Sequence, residues 1–78
     1  MNWVQFSAIL ARRARAEAVS PDTILFGAGL NISSVAFLES IMEMEEDTGE
    51  EIDVDNLGLE IRTAGQLFVH LFPKGAMP

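Results

Sequence analysis

The sequence has no cysteine and a single histidine, His70, and each scarcity removes chemistry. Without thiols there is no disulfide framework and no thiolate metal site, and one imidazole would leave zinc dependent on carboxylates, so no metal centre is expected. Basic residues are also few: Arg12, Arg13, Arg15, Arg62 and Lys74 stand against 12 Asp and Glu, a formal net charge of −7 in 78 residues. Nucleic acid requires clustered Lys and Arg at its phosphates and is not an expected partner; a basic protein surface is. No apolar run approaches the roughly 18 residues of a membrane span. The arginines at 12, 13 and 15 follow the first apolar residues instead of preceding them, the reverse of a signal peptide, so a cytoplasmic location is expected by default.

Length bounds the rest. A chain this short buries only about 60% of the surface its unfolded form exposes, too little for a cleft between two lobes. One freestanding, monomeric domain over residues 1–72 is expected, with 73–78 as a disordered tail.

What is present is helical patterning. Trp3, Phe6, Ile9 and Leu10 share a face of a helix expected over Asn2 to Val19, whose late arginines suit its dipole. Ser20-Pro21-Asp22 breaks it, and a loop follows in which Ile24, Leu25 and Phe26 are apolar enough to be tucked onto a core. Ser33 or Ser34 can cap a second helix from Val35 to about Thr48, stopped by Gly49. At about 100° per residue, Phe37, Leu38, Ile41 and Met44 share one face and Glu39, Glu43 and Glu46 the opposite one, with Val35 and Met42 at the boundary. A short helix interrupted by Gly58 fits between Glu50 and Glu60, and Thr63 caps a last helix, Ala64 to about Leu71, ended by Pro73. With no period-two alternation, the fold class is all-α: a small four-helix bundle of three longer helices and one short one.

Two features carry functional information. Serines before an apolar run are most often simple caps, which is the plain reading of Ser33-Ser34 from the residues alone. From Glu39 to Glu60 there are ten acidic residues and no Lys or Arg. Most charge runs are solvated faces, yet this one opposes folding through self-repulsion, which favours a docking role. Asp53-Val54-Asp55-Asn56-Leu57-Gly58 has the start of a calcium loop, but Leu57 occupies a ligand position and Ala64 stands where the bidentate Glu belongs. His70 has no nucleophile or ligand set beside it in the sequence and reads as a surface residue.

The stretch Leu30-Asn31-Ile32-Ser33-Ser34-Val35 resembles the phosphopantetheine attachment region of the acyl carrier protein family: apolar, Gly, apolar, usually Asp, the modified Ser, then an aliphatic residue opening an acidic helix. Glu45 to Ile52 resembles the acidic run, glycine and isoleucine that close that helix, and Ile61 to Leu67 the start of the family's last helix. Asn31 replaces the common glycine and Ser33 the common aspartate. The resemblance implies a non-catalytic carrier whose Ser34 bears covalent 4′-phosphopantetheine, with Ser33 the less favoured alternative. It further implies loading by a phosphopantetheinyl transferase and docking of acyl-loading and acyl-processing enzymes through basic patches, against Val35, Glu39, Met42, Glu43 and Glu46. Expected cargo is acyl, for fatty-acid, polyketide or specialised lipid biosynthesis. Phe37 or Phe68 could touch a sequestered acyl chain, although core packing is the plainer role for both. The runners-up are an aminoacyl or peptidyl carrier and an unmodified acidic interaction module.

Overall fold

The computed structural model describes residues 1–54, 57, 58 and 60–76. Three helices are found among them: α1, Trp3–Ala14; α2, Ser34–Thr48; and α3, Ala64–Leu71. The described residues contain no strand beyond a single antiparallel bridge between Ile24 and Thr63. The fold is therefore an all-α bundle. Residues 50–54, 57 and 58, where the short helix was expected, are not helical, and Asp55, Asn56 and Leu59 lie outside the described residues.

Each helix starts on a side-chain cap that satisfies first-turn amides. Asn2 and Gln5 form a reciprocal box at α1, and Thr63 and Gln66 form another at α3. Helix α1 stops at Ala14 and not near Val19, because Arg15 turns left-handed at φ 59° and the Ala16 N–H bonds the Ala11 carbonyl at 2.8 Å. That closure usually carries glycine at the left-handed position. With arginine there, the sequence shows no stop signal before Ser20-Pro21. Helix α2 ends as expected on left-handed Gly49, φ 72°.

Trp3, Phe6, Ile9 and Leu10 are all buried, as their spacing predicts. Phe6 and Phe68 lie 5.1 Å apart between ring centroids, with Trp3 and Phe72 against them, so the centre of the bundle is an aromatic cluster shared by α1 and α3. Helix α2 contributes Phe37, Ile41 and Met44. It also buries Ser40, whose hydroxyl donates to the Ala36 carbonyl at 2.8 Å and so stays satisfied away from water. Of the tail from Pro73 onward, residues 73–76 cross the start of α1, where the Ala76 carbonyl accepts the otherwise unpaired Trp3 N–H at 3.0 Å. Met77 and Pro78 lie outside the described residues.

The loop between α1 and α2 decides where α2 begins. Leu25 is fully buried, whereas Ile24 and Phe26, expected to be tucked in with it, are about half exposed on either side. The Leu25 N–H donates to the Arg62 carbonyl and its own carbonyl accepts from Ile32, both at 2.9 Å. Ala64 N–H to Thr23 carbonyl and Gly65 N–H to Pro21 carbonyl complete the attachment to the start of α3. Gly29 passes so close to the Ile24 carbonyl that a Cβ there would collide with it. The loop is thus held against α3, and it delivers the chain to Ser33 in a fixed place.

Candidate functional site

Asn31 leaves the loop in the left-handed region, φ 53°, and Ser33 follows in extended backbone, φ −72° and ψ 158°. Asparagine is among the few non-glycine residues that enter the left-handed region readily, which accounts for its presence where the chain must reverse before α2. The two serines then separate in role. Ser33 is the N-cap: its Oγ accepts the Ala36 N–H at 3.0 Å. Ser34 is the first residue of the helix, exposed, and its hydroxyl is in no hydrogen bond.

The surroundings of Ser34 suit a phosphodiester. The amides of Ser34 and Val35 belong to the first turn and have no intrahelical acceptor, and the positive end of the helix dipole lies there. No acidic residue occupies the first turn of α2, so nothing there repels an anion. The first carboxylate, Glu39, comes more than a turn later.

Beyond Ser34 the outer face of α2 is striped. Val35 and Met42 are 67% and 60% exposed, and Leu38, assigned to the core by its spacing, joins them at 49%. Leu38 lies about 100° round the helix from Phe37, enough to carry it over the edge of the buried face. Beside this apolar stripe run Glu39 and Glu46, both exposed. Glu43 is placed differently. One of its oxygens takes the Arg13 Nε–H at 3.0 Å, the other is paired with Arg12, and its side chain is only 20% exposed. Glu45 turns the other way and accepts the Ile52 N–H at 2.8 Å, securing the chain after α2. Arg12 and Arg13 as partners of Glu43 were not foreseen, because contacts 30 residues apart in sequence leave no local signal.

An apolar cavity of about 630 Å³ lies between the loop before α2, the inner face of α2 at Phe37 and the start of α3, lined by Ile24, Phe26, Phe37, Ile61 and Leu67 among others. Phe37 packs against Phe26 in a tilted pair, 5.6 Å between ring centroids, and forms one wall; Phe68 belongs to the aromatic cluster instead. His70 is exposed near the end of α3. Among the described residues no three His, Asp or Glu are grouped to hold a metal ion, and Asp55 and Asn56 of the calcium-loop-like stretch lie outside them. No helix of the described residues is long and apolar enough to cross a membrane.

A small helical bundle with a free serine at the head of an acidic helix is the arrangement of a carrier domain. Comparison with protein families agrees: the phosphopantetheine attachment site family matches residues 5–71, and the chain belongs to that family of acyl and peptidyl carrier proteins. No curated protein and no solved structure matches the chain. Membership makes the protein a non-catalytic carrier of a covalent 4′-phosphopantetheine arm, loaded by a phosphopantetheinyl transferase.

Proposed function

We propose that Ser34 carries the arm and that the protein holds acyl groups on it for cytoplasmic partner enzymes of fatty-acid, polyketide or specialised lipid biosynthesis. The carrying observation is the division of labour between the serines. The Ser33 hydroxyl is occupied as the cap of α2, whereas the Ser34 hydroxyl is exposed, without a partner, and beside first-turn amides that favour a phosphate. The arm, once attached, supplies a thiol that holds the cargo as a thioester, which explains why a chain without cysteine can do this work.

The chain's own residues contribute placement. The loop held by Leu25 fixes the start of α2, and the stripe of Val35, Leu38 and Met42 offers apolar contact beside Ser34. Glu39 and Glu46 offer charge to a basic patch, and exposed charges of this kind raise association rates and permit rapid release. The apolar cavity walled by Phe37 supports acyl cargo. An aminoacyl or peptidyl cargo is the second reading, favoured by Arg62, Thr63 and Gln66 in the same lining.

The test is intact mass after incubation with coenzyme A and a broad-specificity phosphopantetheinyl transferase. The native chain gains one phosphopantetheine and Ser34→Ala gains none; an undiminished gain in Ser34→Ala overturns the assignment.

A further inference from the structure

The carboxylates on the outer side of α2 are not equivalent. Glu46 is exposed, Glu39 meets Arg13 only at 3.9 Å, and Glu43 has both oxygens engaged by guanidinium groups of α1. No basic residue occurs within α2, so these two arginines are the cations that this face meets from its own chain among the described residues. Arginine presents a planar fork of donors matched to a carboxylate, which is also what a basic docking patch would offer.

We propose that Arg12 and Arg13 withhold Glu43 from docking partners, standing where the partner's own basic residues would otherwise bind. The inference rests on the docking reading of α2 given above and adds a regulatory contact to it. The Arg12 and Arg13 side chains are 59% and 38% exposed, so water reaches the arginine side of the clasp although Glu43 itself is largely covered. Ion pairs in that setting are weak and exchange readily. The clasp therefore competes with a partner without blocking it: an incoming arginine displaces one of the two, and the resident pair reforms as the partner leaves. Affinity is lowered at one point of the face and release is hastened, while Glu39 and Glu46 remain available to steer the encounter.

The experiment measures loading kinetics with a broad-specificity phosphopantetheinyl transferase and coenzyme A at low salt. Replacing Arg12→Gln with Arg13→Gln keeps helix-forming residues with long stems and frees Glu43. It should raise kcat/KM by about two- to fivefold, the span of one exposed ion pair. Arg15→Gln with Lys74→Gln removes the same charge elsewhere and should raise it less. The extra rise should vanish when Glu43→Gln is added to the Arg12, Arg13 pair. A rise no greater than in the charge-matched control, a fall, or a rise that survives Glu43→Gln overturns the proposal. Glu39→Lys with Glu46→Lys in the otherwise native chain separates the two levels. If it leaves loading unchanged, the docking reading itself fails; if it slows loading while the arginine pair behaves as the control, only the clasp fails. Thermal melts of all variants establish that each is folded.

Discussion

At the scale of single residues, the Ser33 hydroxyl accepts the Ala36 N–H at 3.0 Å, and a residue in that position stabilises the first turn whatever else the helix does. Ser33→Ala should therefore lower stability by about 1 kcal/mol, or about 4–8 °C in a domain of this size, with loading of the neighbouring serine preserved. Ser33→Asp should melt no lower than the native protein, since aspartate also caps and its charge suits the dipole. Melting followed by circular dichroism checks both; an unaltered melt in Ser33→Ala would show that the cap is not holding α2. Asn31 belongs to the same short device, at φ 53° two residues before the cap. Asparagine enters that left-handed conformation more readily than most residues, so the turn before the cap does not require glycine.

At the scale of elements, the loop before α2 does more than connect. Leu25 is buried completely and its backbone joins Arg62, at the start of α3, to Ile32, two residues before Ser34. Leu25→Ala should cost about 2–5 kcal/mol in urea unfolding, through lost transfer energy and the cavity left behind. A loss under about 1 kcal/mol would place the anchoring of the loop elsewhere. Much of this level was legible in the sequence. Thr63, Gly49 and the buried face of α1 follow directly from capping chemistry and spacing. The end of α1 was not, since a left-handed arginine carries no mark that a glycine would have given. Neither was the exposure of Leu38: a position about 100° round from a buried neighbour is decided by which helices pack against α2, and spacing alone does not say. The sequence placed Ser33 and Ser34 at the start of α2, but which serine caps and which stands free required the backbone path through Asn31. The covering of Glu43 by α1 is tertiary and had no sequence signal at all.

At the scale of the whole molecule, charge is the leading asymmetry. Net charge is −7, and Glu45, Glu46 and Asp47 crowd the end of α2, where the helix dipole is also negative. Among the described residues the arginines of α1 pair with Glu43 and Glu39 and form no ion pair with that last turn. Raising salt from low to moderate concentration should therefore raise the melting temperature, by about 4–8 °C for each kcal/mol of repulsion relieved. A melt that falls with salt would mean that the Arg12, Arg13 and Glu43 contacts outweigh the repulsion. On the proposed function, small size and acidity acquire a common sense, since an acidic shuttle would be drawn to basic sites on its partners. The central claim remains the identity of one oxygen. Fragment-ion mapping of the native chain after transfer of phosphopantetheine from coenzyme A tests it most directly. The added mass should sit on Ser34, and its appearance on Ser33 or another residue, or no addition, would contradict the account.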